Sequence, residues 1–297
     1  MQLAIHPRWI PWADRHGRFV TLKLLAFLAG LAPALVLLSW WHADELGARS
    51  LNVAIHFTGK WTIRFLLVSL AVSPLRMLTE SAKVMTLRRQ FGLIALAYGC
   101  THLSLYAWDQ NLNLLTVASE IVHRIYLLIG FTALTGLIVL GITSSDSMIK
   151  RLGRNWKRVH RIIYAVALLG LLHHFMQAKA DVSPATLVAG CFVWLMLFRR
   201  IPRGWHHSPG VFLLLAIVAT LATVGIEYAW YAIATHIDPM RVFVLNFSLR
   251  YGIRPAQWVG MAGLAITLFV AIRRIASRTP RPTRLAPRES RLTAAKG

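Results

Sequence analysis

Long apolar runs recur along the chain and are separated by short polar connections. A membrane-spanning helix needs about 20 mainly apolar residues, and eight runs approach or exceed that length. Lys60 and Arg64 interrupt the second run, and the sixth is short. The runs cover residues 19–41, 53–75, 90–108, 120–143, 157–177, 183–199, 210–234 and 256–274. This pattern predicts an all-α fold, a polytopic membrane helix bundle.

The composition supports a membrane protein. Of the 297 residues, 56% are hydrophobic and only 15% are charged, against about 25% charged in a typical soluble domain. Such a chain has too few charges to cover a surface that faces water. The two cysteines, Cys100 and Cys191, lie inside apolar runs, so no disulfide framework is expected.

The formal net charge of +22 has two interpretations. Strongly basic chains often bind nucleic acid, but here Lys and Arg form short clusters between apolar runs. With the N-terminus inside, the inner connections hold roughly three times as many Lys and Arg as the outer ones. We therefore predict a multi-pass protein of a bacterial inner membrane with both termini in the cytoplasm, in contact with the lipid bilayer and with no nucleic-acid partner.

Histidine dominates the ionisable residues within the predicted spans, where such groups are costly and usually functional. His102 lies in the outer half of the third span, and His173 and His174 lie at the outer end of the fifth. His160 lies near the inner end of the fifth span, about 20 Å from His173 along the helix axis. Two imidazoles on facing helices at one depth can bind a haem iron from both sides, which favours electron transfer over oxygen chemistry. Either His173 or His174 could be the ligand on the fifth span. In an ideal helix His174, which is 14 residues after His160, lies on nearly the same face as His160, so this geometry favours His174 over His173.

Several short motifs accompany these histidines. They are His56-Phe57-Thr58-Gly59, Arg88-Arg89-Gln90-Phe91-Gly92-Leu93, Thr101-His102-Leu103-Ser104-Leu105-Tyr106, and Lys150-Arg151-Leu152-Gly153 with Trp156 and His160. With them, the chain over about residues 15–200 resembles the MsrQ (YedZ) family. These are haem-binding membrane subunits of the periplasmic methionine sulfoxide reductase system, within the ferric-reductase-like transmembrane superfamily.

The resemblance implies six core helices, b-type haem, and flavin (FMN) or quinone as the source of electrons. It implies a periplasmic molybdopterin methionine sulfoxide reductase as the acceptor. Matched residue by residue, the haem-linked histidines fall on His102, His160 and His173. The resemblance therefore favours His173 over His174, against ideal-helix geometry, and His174 is held in reserve.

The family's paired arginines, implicated in the flavin or quinone site, fall on Arg88 and Arg89. In the wider superfamily the third helix carries a second histidine at this inner level, which gives two stacked haems. In this chain Arg88 and Arg89 occupy that level instead of a histidine. One haem b is therefore expected, and a second would need His160 and a further ligand. The inner site would otherwise hold a flavin, with the arginines facing its phosphate. Lys60 and Arg64 either extend to the outer headgroups or pair with the haem propionates.

The chain beyond residue 205 has no counterpart in the resemblance. We divide the sequence into a cytoplasmic segment 1–18, a six-helix haem-binding domain 19–204, a two-helix extension 205–276 and a basic, disordered tail 277–297. Glu227, deep in the seventh span, either pairs with an arginine of another helix or marks a proton or quinone pathway.

The expected function is electron transfer from cytoplasmic flavin or the quinone pool to the periplasmic reductase, for repair of oxidised periplasmic proteins. No βαβ pattern with a glycine-rich turn occurs, so a separate donor such as a cytoplasmic flavin reductase is needed. One alternative is a ferric or other metal reductase with the same haem path. Another is an anchoring or assembly subunit whose histidines are structural.

Overall fold

The computed structural model describes residues 11–13, 17–178, 181–250 and 252–278, and this part of the chain is predominantly helical. The α-helices, in chain order, are α1 (Thr21–His42), α2 (Ser50–Thr79), α3 (Thr86–Asp109), α4 (Leu114–His123), α5 (Ile125–Ile142), α6 (Asp146–Leu152), α7 (Asn155–Val159), α8 (Ile163–Gln177), α9 (Ser183–Phe198), α10 (Pro209–Ala234), α11 (Pro239–Leu245) and α12 (Pro255–Arg278). The predicted all-α membrane bundle is confirmed.

Each of the eight predicted spans overlaps a long helix: α1, α2, α3, α5, α8, α9, α10 and α12. Within the described part of the chain, six helical stretches can cross a membrane by length and composition, namely α1, α2, α5, the stretch from α7 through α8, α10 and α12. Helix α3 has 24 residues but carries many polar side chains, and α9 has only 16 residues. For α3 and α9 the spanning role stays a prediction.

The fourth predicted span, 120–143, is wrong at its start. Helix α4 ends at His123 and α5 begins at Ile125, with Arg124 extended between them (φ −110°, ψ 106°). Glu120 and Arg124 form an ion pair of 2.8 Å at the break. Helix α4 buries Val117 and leaves Leu115 85% exposed. The break at Arg124 makes it a helix of its own next to the apolar, 18-residue α5.

The fifth predicted span is also interrupted. A 3₁₀ turn at His160–Ile162 separates α7 from α8. A 3₁₀ turn has about 3.0 residues per turn rather than 3.6, so side chains after it are rotated relative to an unbroken α-helix. The argument that His160 and His174 share one helix face assumes an unbroken α-helix, so it does not hold here.

The loops gather at two ends of the bundle. Asn52, Gln110 and Arg124 line one cavity, at what we call the outer end, following the predicted topology. Leu78, His207 and Arg274 line another, at what we call the inner end. Leucines on α1, α10 and α12 stay largely exposed on the sides of the bundle, as expected where lipid tails replace water.

Helix α2 contains Pro74, which lacks the N–H that would bond to the carbonyl of Leu70. Arg199, just after α9, donates from Nη2 to that carbonyl oxygen at 2.7 Å and from Nη1 to the Leu195 oxygen at 2.6 Å. The arginine therefore satisfies the backbone group that proline frees and ties α9 to α2.

Helices α10 and α12 pack on each other and on α9 through small residues. A Cβ added at Gly263 would lie 2.6 Å from the Ala216 Cβ, and one at Gly260 would lie 3.0 Å from Thr220 Oγ1. Close backbone approach of this kind is typical of helix contacts in membranes. The extension therefore packs directly against the preceding helices. The proposed boundary at 205 stays a prediction, and the tail lies outside the described residues beyond the last turn of α12.

Glu227 is fully buried on α10. Its Oε1 lies 2.6 Å from Nη2 of Arg254, at the start of α12, and its Oε2 accepts a 2.8 Å hydrogen bond from Asn246. Gln257 in turn donates to the Asn246 carbonyl at 3.0 Å. Glu227 was expected either to pair with an arginine or to mark a proton or quinone pathway, and the structure shows the arginine pair.

Replacing Glu227 with Gln should lower the free energy of unfolding by about 3 kcal/mol, because Arg254 would keep its charge without a counter-ion in a buried site. The matched control is Arg241→Gln, which removes an exposed pair with Asp238 and should cost less than about 1 kcal/mol. Denaturant unfolding of the purified proteins in detergent, followed by circular dichroism, measures both. Equal losses in the two variants would contradict the buried-pair argument.

Candidate cofactor site

Two histidines face each other between α3 and α8. The ring centres of His102 and His173 are 6.2 Å apart, with the planes at 80°. Nδ1 of His102 lies 2.8 Å from the carbonyl oxygen of Ile55, and Nδ1 of His173 lies 2.8 Å from that of Tyr126. A carbonyl can only accept, so each Nδ1 carries the hydrogen. Both Nε2 atoms are thereby left with the lone pair that binds a metal.

The separation of the two rings fits one iron between them. Metal–imidazole bonds are about 2 Å long, so rings on opposite sides of one ion have centres roughly 6 Å apart. No group of three or more His, Cys, Asp or Glu able to hold a bare metal ion occurs within the described residues. Two imidazoles alone suit an iron whose other ligands come from a haem macrocycle.

Glycines give the imidazoles their space. A Cβ at Gly59 on α2 would lie 3.1 Å from the His102 ring, and one at Gly130 on α5 would lie 2.7 Å from Nδ1 of His173. The second distance is shorter than real Cβ contacts allow. Each ring therefore lies against a helix at a point where the side chain is absent.

Two adjoining clefts share both histidines. The first, about 380 Å³, lies between α2, α3, α5 and α8, and the second, about 440 Å³, extends towards α9. Both fall within the usual range for ligand sites. The first has apolar walls that include Ile63, Leu137 and Val166. These residues fit a haem, which His102 and His173 would hold.

The outer rim of the first cleft is polar, and sequence reasoning missed it. Glu120 and Arg124 line it as an ion pair, and Tyr106 donates to Glu120 at 3.4 Å. In the sequence Arg124 was counted only as an outer basic residue. The available signal was the polar cluster 119–124 at the edge of an apolar run, which marks the break between α4 and α5.

The second cleft contains one of the two predicted propionate partners. Lys60 lines it, together with His174 and Asp181. Hydrogen bonding to Ser183 lowers the pKa of Asp181, so this loop carboxylate stays charged near Lys60. Arg64 lines neither cleft; its exposed guanidinium lies 4.9 Å from the centre of the Trp61 ring.

The structure places His173, rather than His174, opposite His102. His174 lines only the second cleft, whereas His173 lines both and contacts the His102 ring. Ideal-helix geometry favoured His174 because it required His160 to share the ligand's face. The 3₁₀ turn interrupts that relation, and His160 has different neighbours.

His160 lies at the inner end. Its Nε2 is 3.2 Å from Thr143 Oγ1, and its ring stacks on Trp156 at 4.0 Å. Trp156 in turn donates to the Thr143 carbonyl at 2.9 Å. In this arrangement a hydroxyl group occupies the position next to the ring nitrogen that a metal would use, so a second haem at His160 stays a prediction.

The two predicted flavin or quinone arginines differ in their exposure and contacts. Arg88 is half-buried, and its carbonyl accepts a 2.9 Å hydrogen bond from Ser69. Arg89 is exposed and lies 3.0 Å from Asp146. Neither lines the two clefts around the histidine pair. Arg199, counted in the sequence only as a topology signal, contributes a half-buried guanidinium at the same end, 5.6 Å from the ring centre of Tyr164.

Known proteins match much of this chain in sequence. Residues 58–171 match the family described as "Ferric reductase like transmembrane component". The "Protein-methionine-sulfoxide reductase heme-binding subunit MsrQ" of Xanthomonas campestris pv. campestris strain 8004 is 38% identical over 212 residues, covering 66% of this chain and 97% of that protein. The protein of the same name from Herminiimonas arsenicoxydans is 35% identical over 188 residues, covering 62% and 86%.

No solved structure matches the chain at a significant level. The alignment with the Xanthomonas protein nevertheless spans almost that whole relative, and about a third of the present chain lies outside it. The resemblance found in the motifs is thereby confirmed. The chain belongs to the MsrQ family of haem-binding membrane subunits within the ferric-reductase-like transmembrane proteins.

Proposed function

We propose that this chain carries electrons across the bacterial inner membrane to a periplasmic, molybdopterin-dependent protein-methionine-sulfoxide reductase, for repair of oxidised periplasmic proteins. The donor is cytoplasmic flavin or the quinone pool. The observation that carries the proposal is the pair His102 and His173, with ring centres 6.2 Å apart and both Nδ1 atoms bonded to carbonyls. The names of the relatives, which describe heme-binding subunits of that reductase, support the assignment.

The chain's residues hold and orient the cofactor rather than react with a substrate. When bound, haem b would supply one-electron chemistry, and His102 and His173 would hold its iron, an arrangement that favours electron transfer over oxygen chemistry. The carbonyls of Ile55 and Tyr126 fix the tautomer and orientation of His102 and His173 and increase their basicity. The apolar walls of the first cleft, which include Ile63, Leu137 and Val166, would give the cofactor a surrounding of low polarity.

At the outer rim we assign Lys60 to a haem propionate. Its position on the second cleft supports this role. Arg64, the second predicted partner, receives less support because its charge lies over Trp61 on the exposed side. Its position fits the alternative, in which the side chain extends to the headgroups.

At the inner end we assign Arg88 and Arg89 to the phosphate of FMN or to a quinone. Arg89 can exchange its ion pair with Asp146 for another anion, because an exposed pair is worth little. His160 lies at the same end and remains the proposed ligand of a second haem.

Replacing His102 or His173 with Ala should reduce bound haem to below about a tenth of the unsubstituted level, because one of the two imidazoles that would hold the haem is lost. His174→Ala should keep the haem. So should the control His123→Ala, whose ring contacts Ser119 at the surface. Reduced-minus-oxidised spectra and haem per polypeptide of the detergent-purified proteins measure this. Loss of haem from His174→Ala but not from His173→Ala would reverse the ligand assignment; haem retained in all variants would leave the histidines structural.

Adding a methyl group at Gly130 should weaken haem binding about 10- to 100-fold, because the Cβ would displace the His173 ring. Gly59→Ala should have a smaller effect, since its Cβ would lie 3.1 Å from the His102 ring. The matched control is Gly225→Ala on α10, where a Cβ meets nothing within 4 Å. Haem titration of each protein gives the affinities. Equal affinity for the Gly130 and Gly225 variants would refute the packing argument.

Electron transfer from the inner end is tested with the double variant Arg88→Ala/Arg89→Ala in membrane vesicles. Haem reduction by reduced FMN or by a quinol should slow about tenfold or more, since charge-assisted contacts to the donor are lost, while haem content stays intact. Lys150→Ala/Arg151→Ala on α6 removes the same charge and should leave the rate unchanged. Loss of haem from the first double variant would indicate a structural role instead.

Transfer to the acceptor is tested in cells that lack the neighbouring periplasmic molybdoenzyme. Methionine sulfoxide in a periplasmic protein should reoxidise the haem only when that enzyme is present. Reoxidation by ferric chelates that does not depend on the enzyme, with no response to methionine sulfoxide, would favour the metal-reductase alternative.

A further inference from the structure

A basic cleft lies at the inner end, at the opposite end of the bundle from the histidine pair. It has a volume of about 310 Å³ and is formed by the last turn of α2, the residues after the 3₁₀ turn Arg203–Trp205, and the last turns of α12. We call it the inner cleft. Its lining residues are Met77, Leu78, Glu80, His206, His207, Val270, Arg273 and Arg274.

A second hollow of about 500 Å³ adjoins the inner cleft. It shares Met77 and Glu80 and adds Arg76, Ala82 and Arg203. Among the described residues, four arginines and one carboxylate, that of Glu80, line the two hollows. The described lining therefore carries more positive than negative charge.

One arginine holds the cleft together. Arg273 donates from Nη1 to the Leu78 carbonyl near the end of α2, and its Nη2 lies 3.3 Å from Glu80 Oε1. The last carbonyls of a helix have no partner within that helix, so Arg273 satisfies one of them and joins α12 to α2. Arg76, Arg203 and Arg274 bring further positive charge around this joint.

His206 supplies an unused polar atom. Its Nε2 is shielded from solvent and makes no hydrogen bond within the described residues. The ring lies parallel to that of Phe198, with centres 5.2 Å apart and planes at 7°, and Phe198 is 1% exposed. Packing therefore fixes the ring, and a shielded nitrogen without a partner is costly unless a ligand completes its hydrogen bonding.

We propose that the inner cleft and the adjoining hollow together bind a phosphate group, either of an anionic lipid headgroup or of a soluble phosphate ester, through Arg274 and His206 of the cleft and Arg203 of the hollow. Arginine forks match phosphate oxygens. Basic pockets between helix ends on the cytoplasmic side are suited to anionic headgroups. The site is built largely from residues after α9, so it gives a role to a part of the chain for which the family resemblance offers none. It does not depend on haem.

The test uses the delipidated, full-length protein and phosphatidylglycerol, with phosphatidylcholine as the lipid without net charge. Native mass spectrometry counts bound lipid and gives its affinity. We expect one preferred phosphatidylglycerol site, weakened about tenfold or more in Arg203→Ala/Arg274→Ala. The control Arg151→Ala/Arg200→Ala removes the same charge from inner-end residues that do not line either hollow, and its affinity should change less than twofold.

A variant that leaves the arginines in place distinguishes specific binding in this cleft from general electrostatic attraction to a basic surface. His206→Phe keeps an aromatic ring on Phe198 and removes Nε2, so the affinity should fall about threefold or more. Circular dichroism and the haem spectrum should be unchanged in every variant. A protein that loses either signal is replaced by the milder Arg203→Lys/Arg274→Lys, in which the arginine forks are lost and a smaller fall is expected.

The source of the phosphate is found by competition. Displacement of phosphatidylglycerol by millimolar inorganic phosphate, with the same dependence on Arg203 and Arg274, would identify a soluble phosphate ligand. Failure of inorganic phosphate to compete would identify the lipid headgroup. Equal binding of the two lipids, or equal weakening in the two double variants, would overturn the proposal.

Discussion

Two hydrogen bonds orient the facing histidines of this bundle: those from Nδ1 of His102 and His173 to the carbonyls of Ile55 and Tyr126. Each bond joins neighbouring helices, α2 to α3 and α5 to α8. Each also aims the opposite ring nitrogen into the shared space. Close approach of a ring to a neighbouring helix requires a missing side chain, as at Gly130. The pairing of these helices, the position of Gly130 and the orientation of the two histidine rings therefore depend on one another.

The same requirement, that polar groups away from water find partners, explains features remote from the histidines. Pro74 frees the carbonyl of Leu70, and Arg199 from α9 bonds to it. Glu227 is fully buried and is bound by Arg254 and Asn246. In a low-dielectric interior an unpaired group of either kind is costly. These contacts therefore fix how the last three long helices sit on the rest.

The positive charge at the inner end serves more than topology in our proposals. Arg88 and Arg89 begin α3 on one side, next to α6, and the inner cleft lies at the ends of α2 and α12. The first group would meet an electron donor, and the second would meet a phosphate of the membrane or of a soluble ester. Basic residues that look equivalent in the sequence thereby acquire different partners.

The sequence by itself determined the helices that apolar runs define, the histidine-rich outer level and the family, because hydrophobic length and short motifs are local properties. It could not determine that α4 breaks from α5 at Arg124, or that His173 rather than His174 faces His102. Nor could it reveal the bond of Arg199 or the grouping of His206 with Arg274. Such contacts depend on the rotation of each helix, which a single 3₁₀ turn changes, and on residues far apart in the chain. Only tertiary packing sets both.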